Sequence, residues 1–318
     1  MAERFNSSKN FGWGGSMSFS AKGAISDRYG GGHFGTIAAH NQRIESCIEW
    51  ARENGYNRWD KFDQTAAERF SQHIASRVQC GSMSSSYGQN LVSTMNVTMS
   101  ALRGDGAVYV SPASVGQRSH VRTEAPGGVS RDSVSAAQAA MRATGYDRAA
   151  AVAGLAREFG MRVREASLAN LDRLSREART LGRINIQDGT KGGRDAPRWV
   201  EITKESQIDA LKDAIAARSA GSQNLVEKSE SLKDFISREV NAAREELKAA
   251  GIEKFHDLRS AYACERYQEL TGHAAPVLRE PGEARPDRDL DREARMQVSE
   301  ELGHGREDVV SAYIGGKR

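Results

Sequence analysis

Two short stretches, residues 183–187 (RINIQ) and 198–202 (RWVEI), alternate their side chains with period two, and the ten residues between them, DGTKGGRDAP, are turn formers. Such a pair reads as one β-hairpin with a long, glycine-rich tip. The other periodic stretches follow helical spacing. Residues 33–54 put Phe34, Ile37, Ile44, Ile48 and Ala51 on one stripe and stop at Gly55. Residues 60–79 align Phe62, Ala66, Phe70, Ile74 and Val78, and residues 84–103 align Leu91, Met95, Thr98 and Leu102 before Gly104; both spacings predict amphipathic helices. Alanine-rich helices are expected over 132–158, another after Arg162, and two more over 204–219 and 229–250, with Gly251 at the last C-terminus. The expected fold class is mainly α with a small antiparallel β-sheet.

A chain of 318 residues has room for about two domains, since one usually runs roughly 100–200 residues. The polar start, residues 1–32, reads as a flexible N-terminal arm without the apolar stretch of a secretory signal. Residues 33–105 form a helical bundle, 106–130 a basic linker and 131–318 a second domain. Within the latter, 275–291 holds three of the six prolines and reads as a surface insertion. The linker carries Arg118, His120 and Arg122, with Arg131 just beyond, against one acid, Glu124. It suits either a track along a phosphate backbone or a solvated strap. The net charge of +3 is too small to choose. Three cysteines, Cys47, Cys80 and Cys264, lie far apart without metal-ligand spacing, which fits a reducing compartment. No apolar run reaches the roughly 18 residues of a membrane helix, and a cytoplasmic location is expected.

Four stretches carry chemistry: Gly160-Met161-Arg162-Val163-Arg164-Glu165 at a helix start, Thr190-Lys191-Gly192-Gly193-Arg194 on the hairpin tip, His256-Asp257-Leu258-Arg259, and Leu302-Gly303-His304 with Tyr313 nine residues on (313 − 304). Each alone has a bland reading, such as a surface arginine, a soluble turn lysine or a packing tyrosine. Together, two arginines, a lysine, two histidines and a tyrosine are what phosphoryl transfer to a hydroxyl needs without a metal. Forked guanidiniums stabilise charge growing on a phosphodiester's non-bridging oxygens. A phenol, with a reference pKa near 10, needs help to lose its proton, and a departing alkoxide needs a proton donor.

In this order the stretches resemble the tyrosine recombinase family, the phage-integrase-like site-specific DNA recombinases, over about residues 130–313. The helical 33–105 region is similar, more loosely, to that family's core-binding domain. The resemblance implies a two-domain clamp around DNA. It implies that Arg162, Arg259 and His304 hold the scissile phosphate and that Tyr313 attacks it, giving a 3′-phosphotyrosine and a free 5′-hydroxyl. His256 would be a general base or phosphate ligand, Lys191 the general acid for the 5′-oxygen, and Glu165 a buttress. Arg118, Arg122, Arg131 and Arg194 are expected DNA contacts. No metal or other cofactor is implied. The implied partner is double-stranded DNA with specific recombination sites, engaged by four subunits on two duplexes, with a monomer when free and accessory DNA-bending proteins. The setting is the nucleoid of a prokaryote, a phage or a mobile element. Two departures stand out. The step from Arg259 to His304 (304 − 259 = 45 residues) is about twice the family's usual one, with 275–291 supplying the excess. Only Ile314 to Arg318 follow Tyr313, where many relatives carry a longer tail that docks on a neighbour. The rival readings are a type IB topoisomerase-like relaxing activity and a catalytically silent DNA-binding protein of the same fold.

Overall fold

The structure, a computed structural model, describes residues 8–190 and 197–317. The chain divides into two compact units, Met1–Ser119 and His120–Arg318.

The first unit is a helical bundle of α1 (Met17–Tyr29), α2 (Phe34–Glu53), α3 (Gln64–Gln79) and α4 (Ser85–Arg103). Side chains ahead of three of these helices satisfy the open amides of the first turn: Ser16 accepts from Phe19 N, Asp63 from Ala66 N and Ser84 from Tyr87 N. Gly104, at φ +80°, ends α4 in the left-handed region. The apolar stripes expected on α2, α3 and α4 converge on a core that includes Ile44, Ile48, Phe62, Phe70, Ile74, Leu91 and Met95.

Two expectations are corrected in this unit. The proposed flexible arm is folded from the 3-10 turn Lys9–Gly12 on, with Asn10 and Trp13 already buried. Met17, Ala21, Ala24 and Ile25 of α1 are buried in the same core, and the fully buried Trp59 donates its indole N–H to Met17 O at 2.8 Å. The proposed linker is likewise built into its neighbours. Val108 and Val115 join the first core, and Asn96 brackets Val110 through Nδ2→Val110 O (2.7 Å) and Val110 N→Oδ1 (3.1 Å). From residue 120 on, the chain belongs to the second unit.

The second unit begins with α5 (Arg131–Ala143) and α6 (Asp147–Phe159), followed by α7 (Val163–Leu168) and α8 (Leu171–Leu181). Strands β1 (Arg183–Asn185) and β2 (Trp199–Glu201) pair antiparallel with Ile184 opposite Val200, both buried. The hairpin is therefore where the period-two pattern puts it, with shorter strands. After it come α9 (Glu205–Ala217), α10 (Leu232–Phe235), α11 (Arg244–Ala249), α12 (Phe255–Thr271), α13 (Arg288–Glu301) and α14 (Glu307–Ile314). The single helix expected over 229–250 is broken by a π-helical turn, Ile236–Val240, between α10 and α11.

Helix α6 is the centre of this unit. Every residue from Ala149 to Phe159 is buried, so the helix is covered all round. Alanine or glycine at six of those eleven positions lets α5, α9 and α12 approach closely. Two charged side chains near its end are neutralised inside the packing: Arg157 by Glu265, and Glu158 by Arg131 at 2.6 Å. The expected insertion at 275–291 is only partly one. Residues 280–285 are exposed, but Ala275 is fully buried and Val277 N donates to Ile314 O at 2.9 Å, so the segment's start packs on the last helix.

Candidate active site

The site is assembled at the ends of α6, α12 and α13 and on α14. Gly160 stops α6 with φ +60°. A side chain there is excluded twice, by the backbone angle and by Tyr262 Cδ1, which would lie 2.5 Å from a Cβ. The turn aims the Gly160 carbonyl inward, where Arg259 and Arg198 Nη2 (3.1 Å) both donate to it. Two residues on, Arg162 caps α7. Its backbone N–H donates to Glu165 Oε2 at 2.7 Å and its Nη1 to Oε1 at 2.6 Å. The Arg162–Glu165 spacing is thus a helix cap and an ion pair at once.

Arg259 lies three residues beyond His256 on α12 and is fully buried. Besides Gly160 O it donates to Leu302 O (2.6 Å), and its Nε lies 3.4 Å from Tyr313 Oη. Burial, and then Arg198, push its guanidinium down to about 10, which still leaves it charged at neutral pH. His256 keeps an outer edge in solvent and sets its ring 5.4 Å from that of Tyr313. Burial of its inner side, and then the Arg259 charge, push its imidazole down to about 4, so it is neutral at pH 7.

The Leu-Gly-His stretch now has a local physical account. Leu302 is fully buried and anchors the end of α13. Gly303 turns at φ +70°, with Arg198 Cδ 3.1 Å from where its Cβ would be. His304 N then donates back to Ser299 O, and the ring projects toward α14. His304 Nε2 lies 2.9 Å from Tyr313 Oη, and 3.4 Å from both Arg162 Nη2 and Arg259 Nη2. Tyr313 is 5% exposed. Arg162, Glu165, Arg198, His304 and Tyr313 line one cleft of about 540 Å³, which Thr190 at the hairpin end also borders.

Glu165 is the counter-anion of this cluster. Its side chain is fully buried, 2.7 Å from Arg198 Nη1 and 3.7 Å from Arg259 Nη1. Burial alone would raise its carboxyl; Arg198, the Arg162 amide, Arg259 and the Arg162 guanidinium outweigh it and hold the group at about 2. Three guanidiniums, those of Arg162, Arg198 and Arg259, thus surround the Glu165 carboxylate, and Arg162 and Arg198 line the cleft together with a second carboxylate, Glu300. The donors around Glu165 outnumber it, an arrangement suited to an oxyanion.

Of the residues expected at a site, Arg162, Glu165, His256, Arg259, His304 and Tyr313 are brought together. Lys191 and Arg194 lie outside the described residues. Of the expected DNA contacts, Arg122 and Arg131 are engaged by acidic side chains of the second unit, and the Arg131 side chain stays 39% exposed. Arg122 pairs with Asp257 (2.8 Å) and donates to Ser260 Oγ (3.2 Å), while Arg131 bridges Glu158 and Glu265. Arg118 is exposed at the end of the first unit. The sequence reading overlooked Arg198 as a site residue, because it carries no motif and stands next to a strand with only Val200 buried. Tyr262, whose buried hydroxyl donates to Glu301 at 2.7 Å, packs behind the site. Among the described residues, no group of three or more His, Cys, Asp or Glu side chains is gathered to hold a metal.

Residues 121–265 match the sequence profile of the integrase family. That span includes Arg162, Glu165, His256 and Arg259, and ends before His304 and Tyr313. Among solved structures, the chain is similar to one described as the crystal structure of XerA recombinase, at 17% identity over 94% of each chain with a TM-score of 0.39. No curated protein matches.

Proposed function

We propose that the chain is a site-specific DNA recombinase of the tyrosine recombinase family, whose integrase profile residues 121–265 match, and that it cuts and rejoins strands through Tyr313. The observation that carries this reading is the placement of the Tyr313 hydroxyl, 2.9 Å from His304 Nε2 and 3.4 Å from Arg259 Nε, in a cleft that Arg162 also lines. A packing tyrosine has no need of a buried guanidinium and an imidazole at its oxygen.

In the proposed step a phosphodiester enters the cleft, and Arg162, Arg259 and His304 donate to its non-bridging oxygens. Tyr313 Oη attacks phosphorus, the bond to the 5′-oxygen breaks, and a 3′-phosphotyrosine and a 5′-hydroxyl result. The phenolic proton passes to His256, which is neutral and therefore able to accept it. The 5′-oxygen takes a proton from Lys191. Reversal by a 5′-hydroxyl from a second duplex rejoins the strands, with no net loss of phosphodiester energy. Double-stranded DNA is the proposed partner, with four subunits acting on two duplexes.

The test is capture of the covalent adduct on a nicked or half-site duplex that prevents religation. Tyr313→Phe keeps the ring and should retain DNA affinity while forming no adduct. An adduct that still forms in that variant would transfer the nucleophile to another residue and end this reading of Tyr313.

A further inference from the structure

We propose that Arg198 is a positioning residue that sets both halves of the phosphate-binding cluster from one point, a role that rests on the reading of the cleft given above. Its guanidinium is 5% exposed and makes three hydrogen bonds, each to a segment that carries a cluster member. Nη1 reaches Glu165 Oε2 at 2.7 Å, and Glu165 in turn grips both the amide and the guanidinium of Arg162. Nη2 reaches Gly160 O at 3.1 Å, the carbonyl that also takes Arg259. Nε reaches Glu301 O at 2.6 Å, one residue before Leu302-Gly303-His304, and its Cδ fills the space that a Gly303 side chain would occupy. Arg162, Arg259 and His304 therefore share one common neighbour, the residue just before β2.

Arg198 has the chemistry for this and little reason to be there otherwise. Dehydrating a guanidinium is costly, and a buried ion pair is often no more stabilising than apolar packing of the same volume. Its planar fork, however, satisfies three acceptors with fixed mutual angles, which a lysine ammonium on a flexible stem does not. All three of these bonds point at protein acceptors, so Arg198 acts through its neighbours and is not itself a phosphate ligand. It also adds a third positive charge beside Glu165, so the cluster keeps its cationic excess when Glu165 is engaged by Arg162.

The experiment is a double-mutant cycle on single-turnover adduct formation, in the full chain, with Arg198→Met, Arg162→Ala and the pair. Displacement of the reacting groups by about 1 Å typically costs on the order of 10²-fold in rate. Arg198→Met should therefore cleave about 10²-fold more slowly with DNA affinity little changed. The double variant should be slower than Arg162→Ala alone, but by clearly less than the Arg198→Met factor, because part of the Arg198 effect runs through Arg162 and part through the Gly160 and Glu301 carbonyls. Arg198→Lys should fall between wild type and Arg198→Met; it serves as the test variant if methionine prevents folding. Wild-type rates in either folded variant, or full multiplication of the two defects in the pair, would overturn the positioning role. Failure of the wild-type protein itself to form an adduct would instead overturn the proposed function, so the two outcomes are distinguishable.

Discussion

Replacement of Glu165 by glutamine tests how the cluster is held together. The carboxylate is fully buried, accepts two bonds from Arg162 and one from Arg198, and has Arg259 at 3.7 Å. Glutamine keeps the shape but removes the charge and turns an N–H₂ toward a guanidinium. Breaking one side of a buried ion pair costs about 3–5 kcal/mol. The titration gives a similar figure. A carboxyl held at about 2 instead of 4.5 favours the folded state by about 3 kcal/mol at neutral pH. Because the folded value is depressed, this contribution is complete above pH 4.5 and is lost as pH falls toward 2. Glu165→Gln should therefore unfold in urea with about 3 kcal/mol less stability at pH 7. For a unit of this size that corresponds to a melting temperature lower by about 6–12 °C. The gap between variant and wild type should shrink to less than half by pH 3. A variant within about 1 kcal/mol of wild type at pH 7, or a gap that stays constant with pH, would refute the account of Glu165 as the anion that binds the arginines together.

Three other outcomes are expected. Lys191→Ala should slow cleavage of an ordinary phosphodiester by about 10²–10⁴-fold, the usual scale of general acid catalysis, and should cleave at near wild-type rate a substrate whose 5′-bridging oxygen is sulfur; an equal defect on both substrates would remove Lys191 from the acid role. Since the imidazole of His256 sits at about 4 rather than 6.5, it stays unprotonated down to mildly acidic pH, and the rate of adduct formation should show no acid limb near 6.5; a limb there that disappears in His256→Gln would place a charged His256 in the working enzyme. Adduct formation should persist in excess chelator, because guanidiniums supply the charge that a metal would otherwise provide; loss of cleavage with DNA binding intact would count against the mechanism.

Much of the site could be read from the sequence because its contacts are local. Arg162 and Glu165 meet within one helical turn, His256 and Arg259 share a face of α12, and Gly303 fixes the turn that presents His304. Arg198 was illegible for the opposite reason. Its partners lie 33, 38 and 103 residues away, and nothing in the RWVEI pattern distinguishes a buried arginine from one at a solvated edge. Helix α1 escaped notice because its buried face is made of small residues, Ser20, Ala21 and Ala24, beside Met17 and Ile25, so no strong apolar stripe marks it. The partners of the basic stretch were not legible because charge was counted without them. Arg122 and Arg131 find theirs in Asp257, Glu158 and Glu265, well over one hundred residues away in two of these three pairings.

The segment joining the two units has a practical consequence for dividing the chain. Arg122 N donates to Ser311 O, two residues before Tyr313 on α14, and the Arg122 side chain reaches Asp257 on the helix of His256 and Arg259. Further on, the carbonyls of Gly128 and Val129 accept from Arg157 (2.8 and 3.3 Å), and Gly127 packs so closely on Gly251 and Ile252 that a Cβ would lie 2.8 Å from either backbone. Residues 120–130 are thus a brace wrapped onto the second unit. A fragment begun at residue 131, where charge and prolines suggest a seam, would leave Asp257 and the Ser311 carbonyl without these donors and loosen the base of the nucleophile's helix. A fragment begun at His120 would keep the brace, and nicking by protease should be sought at or before Ser119 and not in the glycine-rich stretch at 127–128.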